Sequence, residues 1–149
     1  MKIALASDEK THLTDFVIED LNRRGHEVSL FGPPAGDDLP WPLASQVLAE
    51  AVAAGEVDEG VLFCYTGTGA SMAANKGPGV RAALCADAET ARGARWWNDA
   101  NVLVMSLRKT SPEVAREMLD AWFTEAVRPE EQVYVDQLRE IERRYQTKA

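Results

Sequence analysis

The sequence predicts an α/β fold with three αβα layers and a five-stranded, parallel, doubly wound sheet at its centre. Five short apolar runs do not alternate cleanly between apolar and polar residues, which is typical of strands buried on both faces. Stretches with helical periodicity separate these runs, and alternating strands and helices favour right-handed βαβ crossovers. The expected strands are Lys2–Ser7, Glu27–Phe31, Gly60–Cys64, Arg81–Cys85 and Val102–Ser106.

The expected helices carry ordinary start and stop signals. Asp87 and Ser111 are suitable N-caps, and Gly25 and Gly55 follow helical stretches as stops. The segment Gly32–Pro42 holds four prolines and two glycines, so we expect a loop there. The helices are expected at His12–Arg24, Leu43–Ala54, Ala70–Asn75, Ala88–Trp97, Ser111–Ala126 and Pro129–Tyr145.

The length suits one Rossmann-like domain spanning residues 1–149 with a single core. The last helix, at about 129–147, is polar but carries one apolar stripe. That stripe packs either on its own domain or on a partner subunit, and the sequence leaves both options open. Its members are Val133, Val135, Leu138, Ile141 and Tyr145.

Composition excludes several classes of function. The net charge of −8 and the absence of a basic stripe argue against nucleic-acid binding. No apolar run approaches the roughly 20 residues of a membrane helix, and the first strand is too short for a signal peptide. Two cysteines without metal-ligand spacing predict no metal site and suggest reduced thiols in the cytoplasm.

Ligands of open parallel sheets bind beyond the carboxyl ends of the strands. At those ends stand Asp8, Arg108 and the run Cys64–Gly69. Gly67 and Gly69 allow close backbone approach, and a helix opening near Ala70 directs free N–H groups to the same place, so the loop suits an anion. A tight turn without a ligand is the alternative.

Two side chains of this edge are candidates for proton transfer. Cys64 is either a base or nucleophile activated by the loop, or a buried structural thiol. Asp8 either moves or orients protons, or is an N-cap or turn residue for the first helix. Cys85 ends a strand without a glycine loop, so we expect it in the core. A dinucleotide site is weakly indicated, because Met72 replaces the third glycine of that fingerprint.

The run from Cys64 to Lys76, Cys-Tyr-Thr-Gly-Thr-Gly-Ala-Ser-Met-Ala-Ala-Asn-Lys, resembles the signature of the ribose-5-phosphate isomerase B / galactose-6-phosphate isomerase family. The runs Gly79–Cys85 and Asn98–Leu103 resemble further family motifs in the right order. The sequence is therefore similar to a divergent member of that family from residue 1 to about Phe123.

The resemblance implies an aldose–ketose isomerase that works through an enediolate and needs no cofactor. Cys64 matches the family's base, Thr66 matches a threonine that assists ring opening, and Asp8 is retained. It also implies a homodimer or tetramer with sites at the subunit boundary. The resemblance places substrate binding at Glu9, Trp41, Tyr65, Gly67, Thr68, Gly69, Ala70, Ser71, Trp97, Asn98 and Arg108.

Several of these positions depart from the family pattern. Glu9 and Trp97 stand where the family has histidines, Trp41 replaces a tyrosine, and Tyr65 replaces the first glycine of the loop. The arginines that grip phosphate are lost near Glu130–Glu131, whereas Arg108 survives. We therefore expect a non-standard sugar substrate; the alternative is a non-catalytic sugar-phosphate-binding protein or partner subunit.

Overall fold

A computed structural model describes residues 1–146. Five parallel strands form one sheet in the order β2-β1-β3-β5-β4, with helices on both sides, and this confirms the predicted fold class. The strands are β1 (Lys2–Ser7), β2 (Glu27–Phe31), β3 (Glu59–Cys64), β4 (Ala82–Leu84) and β5 (Val102–Ser106).

The helices divide between the two faces of the sheet. The helices are α1 (His12–Arg23), α2 (Trp41–Ala53), α3 (Thr68–Ala74), α4 (Ala88–Asn98), α5 (Pro112–Thr124) and α6 (Gln132–Gln146). One core packs α1, α4 and α5 against the sheet and includes the fully buried Trp122. The other core packs α2 and α3 against the opposite face and includes Leu48 and Leu62.

The prediction that every strand is buried on both faces is wrong for the two edge strands. The central strands β1, β3 and β5 are almost entirely buried, but β2 and β4 are partly exposed. An edge strand has a neighbour on one side only, and the helices cover it incompletely. β4 is also shorter than expected, because the N–H of Arg81 donates to the side chain of Asn101 at 2.8 Å instead of to a strand.

The expected loop Gly32–Pro42 is only partly irregular. Pro33–Ala35 form a 3₁₀ turn, and α2 already begins at Trp41. Pro42 suits the first helical turn because the missing N–H is not needed there. The chain therefore enters α2 two residues earlier than predicted, and Trp41 occupies a helix start at the carboxyl edge of the sheet.

The C-terminal helix is loosely attached to the sheet. A 3₁₀ turn at Pro129–Glu131 precedes α6, and residue 147 of the predicted helix lies outside the described residues. A groove of about 720 Å³ separates α6 from the β4 edge. Of the expected apolar stripe only Val135 is buried; the exposed members are Val133, Leu138, Ile141 and Tyr145.

Candidate active site

Three strands bring the predicted site residues to one edge of the sheet. Ser7 of β1 pairs with Phe63 of β3, and Cys64 pairs with Ser106 of β5, so the three strands end side by side. Asp8, the loop after Cys64 and Arg108 follow these ends directly. The structure therefore gathers them at the carboxyl edge, as the sequence predicts.

Cys64 is buried but is in contact with the loop backbone. Its side chain is at the foot of the loop, with only 5% of the residue exposed. The N–H of Gly67 donates to Cys64 Sγ at 3.1 Å. Such a bond becomes charge-assisted when the sulfur carries negative charge. The second cysteine, Cys85, lies in the core as expected, and burial and the charge of Asp87 raise its pKa to about 12.

Gly67 occupies a position that only glycine fits. Its φ is +81°, in the left-handed region. A Cβ there would lie 2.5 Å from Leu84 Cδ1 and 3.3 Å from the backbone of Met105. The carbonyl of Gly67 accepts from the N–H of Ser71 at 3.1 Å, and this bond opens α3. Gly67 therefore both donates a hydrogen bond to the sulfur of Cys64 and starts α3.

The loop presents hydroxyl and N–H groups above the sulfur. Thr66 Oγ1 and Thr68 Oγ1 are 2.8 Å apart and share a hydrogen bond. In the first turn of a helix the N–H groups have no acceptor within the helix. In α3 these groups belong to Thr68, Gly69 and Ala70. The N–H of Gly67 does not join them, because it donates to Cys64 Sγ.

Asp8 has a buried oxygen without a partner. No residue between 1 and 146 donates to Asp8 Oδ1. Burial raises the pKa of this carboxyl group, the charge of Glu9 raises it further, and a bond from its own backbone partly offsets both. Thr11, not Asp8, caps α1. Asp8 therefore does not cap α1. Its Oδ1 is enclosed by the protein, although the residue as a whole is partly exposed at the carboxyl edge.

Tyr65 and Arg108 are joined through both backbone and side chain. The carbonyl of Tyr65 accepts from the N–H of Arg108 and from Ser106 Oγ, each at 3.0 Å. The Arg108 guanidinium lies 5.8 Å from the Tyr65 ring centre and donates from Nη1 to the phenolic oxygen at 3.4 Å. Both side chains are exposed, and together they form one wall of the loop.

Trp41 forms a second wall. A Cβ on Gly69 would lie 3.1 Å from two ring carbons of Trp41, so the indole packs directly against the glycine. The residue is half exposed at the start of α2. Its ring therefore flanks the loop at Gly69, where a larger residue would crowd the indole.

Two of the expected binding residues, Trp97 and Asn98, lie at the opposite end of the sheet from Cys64 of the same chain. α4 begins at the carboxyl edge and ends beside the amino ends of β3 and β5, where the N–H of Gly60 donates to Asn101 at 2.9 Å. Four strand residues, about 13 Å, separate that level from Cys64. Trp97 packs over Gly93 and remains half exposed.

Trp96 has a packing role. Its Nε1 donates to Glu125 at 2.5 Å, and the Arg128 guanidinium lies 3.8 Å from its ring centre. These contacts fasten the end of α4 to the segment after α5. Trp96 is therefore not part of the candidate site around Cys64.

Arg81 was not among the expected site residues, yet it shapes the turn beside Asn98. It donates to the carbonyl and to the carboxylate of Asp99, at 2.7 and 3.2 Å. Asp99 has a φ of +48°, a strained value for a residue with a side chain. The signal was available, because Arg81 lies within the run Gly79–Cys85 that carries the family resemblance.

The described residues contain no group of three or more histidine, cysteine, aspartate or glutamate side chains that could hold a metal ion. No helix between residues 1 and 146 has the length and hydropathy to span a bilayer.

Comparison with known proteins identifies the family of this chain. The model of the Ribose/Galactose Isomerase family matches residues 3–140. The chain belongs to this family. It is 41% identical to ribose-5-phosphate isomerase B of Escherichia coli over 106 residues, which cover 71% of each chain. It is also 36% identical to D-erythrulose-4-phosphate isomerase of Pectobacterium atrosepticum over 118 residues, which cover 78% of this chain and 75% of that protein.

Solved structures of this family share the fold. Ribose-5-phosphate isomerase B of Clostridium thermocellum superposes with a TM-score of 0.90 at 36% identity, covering 97% of this chain and 99% of the other. The five-stranded sheet and its helices are therefore those of the family.

Replacing Gly67 by alanine is expected to destabilise the protein more than the same change at Gly36. Both glycines have similar positive φ values, +81° and +86°, but a Cβ at Gly36 meets nothing within 4 Å. Gly36→Ala is therefore expected to cost about 1–2 kcal/mol from backbone conformation alone. Gly67→Ala adds a steric cost of about 1–3 kcal/mol. Denaturant unfolding measures both variants, and equal losses would contradict the steric role.

Proposed function

We propose that this chain is an aldose–ketose isomerase that acts on a sugar phosphate or a related small sugar through an enediolate. The observation that carries the proposal is the Gly67 N–H aimed at Cys64 Sγ, at the edge where Asp8 holds an unpartnered oxygen. The sulfur takes a proton from the carbon beside the substrate carbonyl. The C–H electrons form the enediolate double bond, and the proton returns to the neighbouring carbon, so no oxidant is consumed.

The surrounding groups suit the charge that develops in this reaction. The enediolate oxygen gains negative charge, and preorganised N–H donors stabilise such charge. We assign this role to the first-turn N–H groups of Thr68, Gly69 and Ala70. The partly exposed carboxyl group of Asp8 orients a substrate hydroxyl, and Thr66, with its hydroxyl already bonded to Thr68, assists proton movement at the substrate oxygen.

We further propose a non-standard substrate preference for an open-chain sugar. Glu9 and Trp97 stand where the family resemblance places histidines, so the site lacks the imidazole implied for ring opening. A four-carbon ketose 4-phosphate cannot close into a furanose or pyranose ring and needs no such group. A relative named for D-erythrulose 4-phosphate fits this preference. Arg108 and the exposed Lys10 and Lys109 supply positive charge at the carboxyl edge against the carboxylate of Glu9.

The complete site is proposed to form between two copies of the chain, in a homodimer or tetramer. Trp97 and Asn98 lie about 13 Å or more along the sheet from Cys64, so one chain does not unite them. A second copy would bring its Asn98 to the carboxyl edge. The exposed apolar side chains of α6, such as Ile141, favour a partner subunit as their cover. We place this chemistry in the cytoplasm, where the two free cysteines remain reduced.

Replacing Cys64 by alanine is expected to lower kcat by about 10²–10⁴-fold, the usual contribution of a general base. Isomerisation of D-erythrulose 4-phosphate and ribose 5-phosphate measures the effect. Cys85→Ala is the matched control, because this second cysteine is buried in the core and is expected to leave the chemical step intact. Equal turnover of the Cys64→Ala variant and the wild type would contradict the proposal.

The alternative, a non-catalytic sugar-phosphate-binding protein or partner subunit, predicts a different result in this assay. It is favoured by Glu9 and Trp97, which stand where the family resemblance places histidines. Wild-type protein that binds both sugar phosphates but turns over neither would support it and exclude the isomerase.

Mixing two inactive variants is expected to restore activity if the site is shared between subunits. In a heterodimer of Cys64→Ala and Asn98→Ala chains, one of the two sites has both residues intact. Random exchange at equal concentrations should therefore recover roughly a quarter of wild-type activity. Cys64→Ala mixed with Thr66→Ala is the control, because both residues lie in one loop and no intact site results. Absence of recovery, or full activity of Asn98→Ala alone, would contradict a shared site.

A further inference from the structure

Tyr65 places an exposed aromatic side chain next in sequence to the proposed base Cys64. It follows Cys64 in sequence, and 57% of the residue is exposed to the mouth of the site. The family signature has glycine at this point, and glycine leaves that space open. A phenol ring beside the base therefore takes up part of the space that a substrate chain can occupy.

Hydrogen bonds hold the backbone of Tyr65 in place. The Tyr65 carbonyl receives two hydrogen bonds from the end of β5, one from Ser106 Oγ and one from the N–H of Arg108. Both donors belong to a segment that continues a fully buried strand. The ring can change its rotamer, but its Cα keeps a fixed position relative to Cys64.

The ring in turn contacts Arg108, one of the exposed cations of the carboxyl edge. The Arg108 guanidinium lies 5.8 Å from the ring centre, and its Nη1 contacts the phenolic oxygen at 3.4 Å. A long arginine side chain in solvent would otherwise sample many positions. Tyr65 thus restricts the positions that the Arg108 guanidinium adopts at this edge.

We infer that Tyr65 is a specificity-determining residue that selects short substrates by fixing Arg108 near Cys64. The inference rests on the proposed isomerase function. The anionic end of the substrate binds Arg108 while its carbonyl end lies at Cys64, so the span between them sets the number of carbons. Because the ring occupies space that glycine would leave open and restrains Arg108, we expect a four-carbon phosphate to fit better than a five-carbon one. A misplacement of about 1 Å can cost roughly 10²-fold in rate, which is enough for such a choice.

The test compares kcat/KM for D-erythrulose 4-phosphate and D-ribulose 5-phosphate, two ketoses that react in open-chain form. Tyr65→Gly is expected to raise the five-carbon to four-carbon ratio by about tenfold or more, since the space is opened and Arg108 is released. Tyr65→Phe keeps the ring and loses only the hydroxyl contact, so its ratio is expected to stay within about threefold of wild type. Tyr65→Leu, of intermediate bulk, is expected to shift the ratio less than glycine does.

The outcomes separate the inference from the proposed function. A wild type that turns over both ketoses, with a ratio unchanged in Tyr65→Gly, would overturn the inference alone. If Tyr65 had a merely structural role, its replacement would lower both kcat/KM values by the same factor. The melting temperature of the variant would then fall as well. If Tyr65→Gly fails to fold, Tyr65→Leu decides by the same ratio. A wild type active on neither ketose would overturn the proposed function instead.

Discussion

The geometry of the candidate site depends on one backbone group, the N–H of Gly67. The left-handed φ of this residue turns the chain sharply after β3, so that its N–H faces back to Cys64 Sγ while its carbonyl starts α3. Leu84 and the backbone of Met105 close the other side and leave no room for a Cβ. Sulfur, loop and helix are thus positioned together, and a displacement of the turn would disturb all three.

The direction of the strands decides which residues one chain can bring together. Every parallel strand ends at the same edge, so Asp8, Cys64 and Arg108 meet although they are far apart in sequence. The same rule sends the end of α4, with Asn98, to the opposite edge. A site that uses both edges requires a second molecule, and for this reason the assembly and the chemistry are linked in the proposed function.

Much of this arrangement could be predicted from the sequence. Helix caps are local features of the sequence, and the position of a site at the carboxyl ends of parallel strands follows from the fold class alone. Asp87 and Ser111 cap their helices as expected, since a side-chain oxygen next to a helical stretch has few other local partners. The partial exposure of β2 and β4 could not be predicted, because strand order depends on long-range packing. The early start of α2 at Trp41 was hidden by prolines that suit a loop and a first helical turn equally well.

Deuterium incorporation measures most directly whether the Cys64 loop moves a proton between carbon atoms. Wild-type protein incubated in D₂O with D-erythrulose 4-phosphate, and followed by proton NMR, is expected to place deuterium on the carbons beside the carbonyl. With the Cys64→Ala variant this incorporation is expected to fall to the rate without protein. Incorporation at an undiminished rate in that variant, or none with wild-type protein on any sugar phosphate, would contradict an enediolate site built on Cys64.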